Sequence, residues 1–116
     1  MTYDELIAAL ESTGVPFAEG GWLEADDLRE DYGVYALDGR RDMISDGRHS
    51  EKLLEGTVDL FCRSSRGDDK AALIEAAMDS IGCPWRLEYG PHYEEETGYT
   101  HWEWVFNVLG VISWRE

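Results

Sequence analysis

The sequence is poor in cysteine and proline and has no long apolar run. Its 116 residues include three prolines and two cysteines, Cys62 and Cys83. Two cysteines are too few for a disulfide scaffold, and their spacing forms no CxxC motif, so we expect two buried thiols in a reducing compartment. The N-terminal residues contain no basic region followed by an apolar stretch. We therefore expect no signal peptide, no membrane span and synthesis in the cytosol.

Positive charge is also scarce. The chain has 10 Lys and Arg residues against 25 Asp and Glu residues, which gives a formal net charge of −15. A field of this sign repels the phosphates of nucleic acids and the headgroups of acidic membranes, which argues against ordinary DNA or RNA binding. Three interpretations remain: a basic protein partner, a surface that must stay clear of DNA, or solubility alone.

The chain does have enough apolar material for one core. Hydrophobic residues make up 43% of it and aromatic residues 12%, a composition that disordered chains lack. A length of 116 residues fits one domain. We therefore predict a single domain over residues 1–116.

The N-terminal segment predicts a helix. Thr2 is followed three residues later by Glu5, the pattern of a capping box. The next apolar residues recur at helical spacing. We predict a helix over 3–12, with Gly14 closing it.

Loops and short strands are predicted in the next part of the chain. Residues 18–31 combine glycines with six acids and are predicted to form an irregular acidic loop. Residues 32–37 predict a strand, Asp38-Gly39 a hairpin turn, and residues 41–45 the returning strand. We therefore expect residues 38–52 to form a long, polar hairpin arm.

A strand and a second helix are predicted in the middle of the chain. Residues 55–63 alternate as in a strand with one buried face. Residues 69–81 predict a helix that Asp68 or Asp69 caps and that Gly82 ends. One face of this helix carries Ala72, Leu73, Ala76, Ala77 and Ser80, with Ile74, Met78 and Ile81 beside them. Its small residues are expected to allow close packing on the sheet.

Two further strands, over 85–89 and 99–109, are predicted to flank an acidic tip at 94–98. The longer strand presents an aromatic stripe on one face, namely Trp102, Trp104 and Phe106. A base-stacking surface would look similar, but the net charge opposes it, so we interpret the stripe as core. The order of elements predicts an α+β fold: a mainly antiparallel sheet of about four to five strands with two helices packed on one face.

The sequence contains no motif for catalysis or for a cofactor. No nucleophile elbow and no phosphate-binding glycine loop is present. His101 and Glu103 share a strand face, and His92, Glu94 and Glu95 are expected on a neighbouring strand. They fit either a metal site or solvated polar side chains, and the second interpretation is favoured because their spacing matches no ligand motif. We predict no catalytic activity, no cofactor and no metal.

The pattern from residue 34 onward resembles the tail-terminator (head–tail joining) proteins of long-tailed phages. The resemblance is an order of elements with compositional cues, and it covers about three quarters of the chain. It is carried by Tyr32–Tyr35, the polar turn Ser45–Gly47, the strand Glu55–Cys62, the helical segment Asp68–Met78, Trp85–Leu87 and Thr100–Val108.

The resemblance implies a structural protein of the virion tail, assembled in the host cytoplasm. Such proteins form a ring with copies of themselves, commonly a hexamer, at the head-proximal end of the tail tube. The ring stops polymerisation of the tail-tube protein and presents a surface to the head connector, or head-completion, protein. DNA passes through the lumen without specific binding, and no membrane is involved.

The expected arm at 38–52 would then reach the tube or the next subunit. Its basic residues concentrate positive charge in an otherwise acidic chain and could pair with acidic patches of a neighbour. They could equally be solvated hairpin residues. The candidate interface residues are Arg40, Arg41, Met43, Arg48, His49 and Trp114.

Two other classes of protein would also explain the acidity. One is an acidic DNA mimic or inhibitor that binds a basic host protein, and the other is an immunity or adaptor protein that binds a basic toxin. A mimic needs acids spaced along one face like phosphates. Here the acids are spread through turns, strands and helix caps, which favours the ring.

Overall fold

A computed structural model describes residues 1–20, 31–42, 51–63 and 65–111. Within these ranges the chain forms two helices and one five-stranded sheet. The elements in chain order are α1 (Tyr3–Glu11), β1 (Phe17–Glu19), β2 (Tyr32–Asp42), β3 (Glu51–Cys62), α2 (Asp68–Ser80), β4 (Trp85–Glu94) and β5 (Tyr99–Val111).

The sheet has the strand order β1-β2-β3-β5-β4. The pairs β2–β3, β3–β5 and β4–β5 are antiparallel, and the short edge strand β1 runs parallel to β2. Both helices contribute side chains to the same core as the strands. The predicted α+β class, with a mainly antiparallel sheet and two helices, is confirmed.

Helix α1 begins at the predicted capping box. The backbone N–H of Glu5 donates to Thr2 Oγ1 at 3.2 Å, and the backbone N–H of Thr2 donates to Glu5 Oε1 at 3.0 Å. These two bonds satisfy donors that the first helical turn would otherwise leave without partners. Leu6 and Leu10 lie one turn apart and are both fully buried, so they fix the face of α1 that packs on the core.

The core lies against one face of β5 and β3. Trp102, Trp104, Phe106 and Val108 alternate along β5 and are all buried. The predicted aromatic stripe is therefore core. Gly56 on β3 faces Phe106 in the ladder, and a side chain there would collide with the Phe106 ring and the Ala36 carbonyl oxygen.

The N-terminus of α2 differs from the prediction. Gly67 is the N-cap residue, without a side-chain cap, so the prediction that Asp68 or Asp69 caps the helix is wrong. Gly67 has a left-handed φ of 84°, and a side chain there would collide with the sulfur of Cys62. Both aspartates lie in the first turn, where negative charge favours the helix dipole.

The buried face of α2 is centred on Ile74 and Met78, which were predicted to lie beside the small-residue face, so the prediction is wrong in part. Ala71, Ile74 and Met78 are buried, whereas Leu73 is 49% exposed and Ala72 and Ala76 are exposed too. Alanines occur around much of this helix, so size alone predicts the wrong face. The large apolar side chains Ile74 and Met78 bury more area and determine which side packs.

Strand β2 is longer than predicted. It continues from Tyr32 through Asp42 and pairs with β3, so the predicted hairpin turn at Asp38-Gly39 is wrong. Arg41 and Asp42 of the predicted strand 41–45 continue β2, and residues 43–45 lie outside the described residues. The register shifts between Leu37 and Gly39, which leaves one extra residue on β2. An extra residue of this kind is a β-bulge, and here the Asp-Gly dipeptide marks a bulge instead of a turn.

The predicted acidic loop at 18–31 is only partly described. Ala18 and Glu19 belong to β1, so the predicted start of the loop at residue 18 is wrong. Residues 21–30 lie outside the described residues. Asp31 is 6% exposed; its carboxylate accepts the backbone N–H of Arg63 at 2.8 Å and lies 3.2 Å from Lys70 Nζ. One acid of the predicted loop is thus a buried link between the end of β3 and α2.

The predicted arm at 38–52 contains the paired ends of β2 and β3. The ladder reaches Asp42 opposite Lys52, and residues 43–50 lie outside the described residues. Beside it, β5 pairs with β3 as far as Val111 opposite Glu51. Three strands are therefore still paired with one another at this end of a molecule 49 Å long.

Candidate functional site

One histidine on the helix-free face of the sheet joins two carboxylates. His101 Nε2 lies 2.8 Å from Asp59 Oδ1, and His101 Nδ1 lies 3.1 Å from Glu94 Oε2. The three side chains come from β5, β3 and β4. His101 is only 16% exposed, so its interpretation as a solvated side chain is wrong.

The strand register produces this arrangement. His101 alternates with the core residues Trp102 and Thr100 along β5, so it points away from the helices. Its direct neighbours in the ladder are Phe61 on β3 and His92 on β4. Asp59 and Glu94 then approach diagonally from the two neighbouring strands, a spacing that long side chains span.

A row of rings surrounds the bridging imidazole. Phe61 stacks on His101 with centroids 4.4 Å apart, and Tyr32 stacks on Phe61 at 5.0 Å. On the other side, Tyr89 lies 5.1 Å from His101 and 5.4 Å from His92. The row therefore crosses four strands, from β2 to β4, and its rings shield the imidazole from water.

The two carboxylates determine the charge state of His101. Burial lowers its pKa, but the hydrogen bonds and charges of Asp59 and Glu94 outweigh burial, so the pKa of His101 is raised above its ordinary value. In the protonated ring both nitrogens donate, one to each carboxylate. Neither nitrogen is then available as a base or as a metal ligand. The bridge connects three strands.

Metal binding finds no support in this part of the protein. Among the residues that the structure describes, no group of three or more His, Cys, Asp or Glu side chains could hold a metal ion. His92 is exposed and contacts Tyr89. The imidazole that the metal hypothesis needed, His101, has both nitrogens engaged by carboxylates.

The strand β4 and its hairpin tip form the second feature of interest. The tip carries three consecutive acids, Glu94–Glu96, and Glu95 and Glu96 are exposed as predicted. Three large apolar side chains on β4 are exposed as well: Leu87 (41%), Tyr89 (38%) and Tyr93 (58%). A surface concavity of about 460 Å³ lies beside the two tyrosines, lined by Tyr89, His92, Tyr93, Glu94, Glu95 and Glu96.

This edge of the sheet is poorly suited to adding another strand. The register of β4 against β5 shifts twice, between Leu87 and Tyr89 and again between Tyr89 and His92. Pro91 within the second shift has no N–H to donate. Bulges and proline are common protections of edge strands. A partner at β4 would therefore contact side chains instead of extending the ladder.

The two cysteines are buried thiols, as predicted. Cys62 and Cys83 are buried and free. Burial raises the pKa of the Cys62 thiol to about 12, with a further contribution from Asp31, and burial raises that of Cys83 to about 11. Both thiols are therefore protonated at neutral pH and unreactive as nucleophiles.

The predicted interface residues fall in two groups. Arg40 and Arg41 lie next to each other near the end of β2, where they pair in register with Leu54 and Leu53 of β3. Their side chains are not among the described ones. The other four predicted residues lie outside the described residues: Met43, Arg48, His49 and Trp114.

The prediction from sequence missed Asp59. Asp59 alternates with buried residues in β3, which shows that its side chain points away from the core. His101 alternates with buried residues in β5 in the same way. The two are 42 positions apart, and only the β3–β5 register brings them together. Strand pairing at this distance leaves no local pattern in a single sequence.

No protein-family model matches this chain, and no curated protein matches it significantly. Within the described residues, none of the helices has the length and apolar character needed to cross a membrane.

Proposed function

We propose that this chain is a structural subunit of the ring that terminates the tail tube of a long-tailed phage. The ring would consist of copies of the chain, commonly six, stop polymerisation of the tail-tube protein and present a surface to the head connector protein. The proposal joins the resemblance over residues 32–108 with the observed order of helix, strands, helix and strands.

The observation that carries the proposal is the three-stranded extension of the sheet. The β2–β3 ladder is still paired at Asp42 and Lys52, and β5 continues beside it to Val111, which lies opposite Glu51. The ends of β2 and β3, which lead into the expected 38–52 arm, therefore belong to one continuous ladder. A base of three paired strands beneath the expected arm suits contact with a neighbouring subunit or with the tube.

The charge of the chain also fits a ring around DNA. A net charge of −15 repels phosphates, so DNA would pass through an acidic lumen without adhering to it. The exposed apolar side chains of β4 fit a protein-binding surface, since Tyr is enriched at protein interfaces. This surface and the arm lie in different parts of one chain, as ring subunits require.

The solution mass of the protein tests the proposal. Light scattering should be measured over a range of protein and salt concentrations, alone and with the tail-tube protein of the same phage. We expect either a ring-sized species or a monomer that converts to one on the tube and stops its growth. A monomer that ignores the tube protein and instead binds a basic DNA-binding protein of the host would contradict the proposal and support an acidic mimic.

A further inference from the structure

The turn between β4 and β5 is attached to the rest of the sheet by two side chains. The guanidinium of Arg63, directly after β3, donates to the Thr97 carbonyl oxygen at 3.1 Å and lies over the Tyr99 ring, 4.4 Å from its centroid. The imidazole of His101 bonds Glu94, the residue at which the turn begins. A guanidinium keeps its charge throughout the physiological range, whereas an imidazole titrates within that range.

Glu94 organises the turn as well as linking it to β5. Its Oε2 lies 3.1 Å from His101 Nδ1, while its Oε1 accepts the Thr97 hydroxyl at 3.5 Å. The Glu94 carbonyl oxygen accepts the backbone N–H groups of Thr97 at 3.3 Å and of Gly98 at 2.8 Å. Whatever holds the Glu94 side chain therefore holds the turn formed by residues 94–98.

Hydrogen bonding to two carboxylates requires a charged ring. A protonated imidazole donates from both nitrogens, but a neutral imidazole has one donor and one acceptor. Once it has lost its proton, His101 can donate to Asp59 or to Glu94, and its other nitrogen then turns a lone pair towards a carboxylate oxygen. One of the two links must therefore open.

The geometry favours Asp59 as the carboxylate that the neutral ring keeps. Its contact with the ring is the shorter of the two, 2.8 Å against 3.1 Å for Glu94, and its side chain is 19% exposed against 26%. A carboxylate that loses its donor is destabilised most where water cannot replace the bond. Asp59 also lies within the central β3–β5 ladder, whereas Glu94 is the last residue of β4.

We propose that His101 is a proton-controlled latch for the β4–β5 turn: the charged ring holds Glu94, and the neutral ring keeps Asp59 and releases Glu94. The latch goes beyond the proposed function and does not depend on it. Burial lowers the pKa of His101, but Asp59 and Glu94 together outweigh burial, so the pKa lies above its ordinary 6.5. The latch is therefore closed below about pH 6.5 and opens as the pH rises through the raised value.

Opening the latch changes the surface at this end of the sheet. Besides the two carboxylates, the titratable and charged groups around the ring are Tyr32 of β2, Arg63 after β3, Tyr89 and His92 of β4, and Tyr99 and Glu103 of β5. Glu94 also lines the concavity of about 460 Å³ at the turn. Loss of the proton removes one positive charge beside this concavity and frees one carboxylate within it, while Arg63 still holds the turn.

The tautomer of the neutral ring is the most direct test. Above its titration, the latch predicts a proton on Nε2, towards Asp59, and none on Nδ1. Correlation of ring protons with the two imidazole nitrogens by NMR distinguishes the tautomers, and the signals of His101 are those that disappear in His101→Gln. A neutral ring protonated on Nδ1 would overturn the inference, because Glu94 would then be the carboxylate that is kept.

Amide hydrogen exchange measures the release of the turn. Protection factors, which remove the intrinsic dependence of exchange on pH, should fall by about tenfold at Thr97 and Gly98 as the ring loses its proton, the factor that one hydrogen bond supplies. Those in the centre of β5 should not change. Equal protection of the turn on both sides of the titration would contradict the latch.

Two amide variants separate the latch from general charge in the turn, each compared on both sides of its own His101 titration. In E94Q the side chain can accept from the charged ring and donate to the bare Nδ1 of the neutral one, so the turn should stay protected in both states. E95Q makes the same change in net charge on an exposed neighbour and should keep the wild-type loss of protection. An E94Q turn that still opens, or an E95Q turn that does not, would overturn the inference.

Discussion

The two faces of β5 are held in place by different forces. The face toward the helices consists of Trp102, Trp104, Phe106 and Val108, all buried. The other face presents His101 between Asp59 and Glu94, with Phe61 stacked on the imidazole. The first face is stabilised by burial of apolar area, which depends little on direction or pH. The second depends on hydrogen bonds of defined geometry and on the charge of one ring.

The core face of β5 is therefore expected to affect mainly the stability of the protein, and the polar face mainly how three strands are connected. Removing apolar area from the core face costs free energy in proportion to volume, whatever the pH. Changing the polar face alters a connection among three strands, β3, β4 and β5, and does so only where the imidazole is protonated. The acidic tip, whose first residue is Glu94, is attached through this polar connection. Four substitutions test the contrast, in order of expected effect.

The largest effect should come from Phe106→Ala on the core face. Phe106 is fully buried, so its removal should lower the free energy of unfolding by about 4 kcal/mol. Phe61→Ala is the matched change on the other face, where the ring is only partly buried, and it should cost about 2 kcal/mol. Urea unfolding of both variants measures the difference. Equal losses would show that the two faces are packed alike.

Asp31→Ala should have the next largest effect, although it removes a charge. The carboxylate accepts the Arg63 N–H and pairs with Lys70, so its loss should cost about 2–3 kcal/mol. Asp31→Asn keeps an acceptor for Arg63 and should cost about half as much. If Asn and Ala are equally destabilising in thermal unfolding, the ion pair accounts for the whole contribution of Asp31.

His101→Gln should destabilise the protein by about 2 kcal/mol, and only at low pH. The folded pKa of His101 lies above its ordinary 6.5 because Asp59 and Glu94 favour the charged ring, although burial opposes them. Its stabilisation is therefore complete below about pH 6.5 and is lost as the pH rises through the folded value.

The measurement for this substitution is the difference in unfolding free energy between wild type and variant across pH. It should be largest below about pH 6.5 and shrink as the pH rises through the raised pKa of folded His101. Phe106→Ala serves as the control, since its cost should stay constant over the same range. A His101 difference that is independent of pH would mean that the ring acts by packing alone.

The smallest effect should come from Thr2→Ala, which removes the cap of a helix that covers the core face. The lost bond from the Glu5 N–H should cost about 1 kcal/mol. Thr2→Ser keeps a hydroxyl at the same place and should restore most of it. Thermal unfolding monitored by circular dichroism measures both, and an Ala variant as stable as the Ser variant would show that the cap contributes nothing.

Local patterns predicted much of this fold. The capping box at Thr2 and Glu5, the alternation in β3 and β5 and the acidic tip after β4 are all short-range signals, and the structure confirms each. The predictions were wrong where the same residues are compatible with two different structures. Asp38-Gly39 fits a turn or a bulge, and the alanines of α2 fit either face of that helix.

The candidate site was less predictable because it depends on pairing between distant strands. His101 and Glu94 were expected on neighbouring strands, but the third member, Asp59, lies on β3. Its burial beside His101 follows from the register of β3 against β5, which no local pattern encodes. Arg40 and Arg41 remain predicted interface residues, since only their place on β2 is established.

The strand order also has a consequence for how the chain folds. β2 with β3 and β4 with β5 are neighbours in sequence and can pair as local hairpins. The central ladder joins Cys62 to Thr100 and Glu51 to Val111, across α2 and the whole of β4. Closing so long a loop costs entropy before any contact repays it. We therefore expect both hairpins to form early, and the docking of one on the other along β3 and β5 to limit the folding rate.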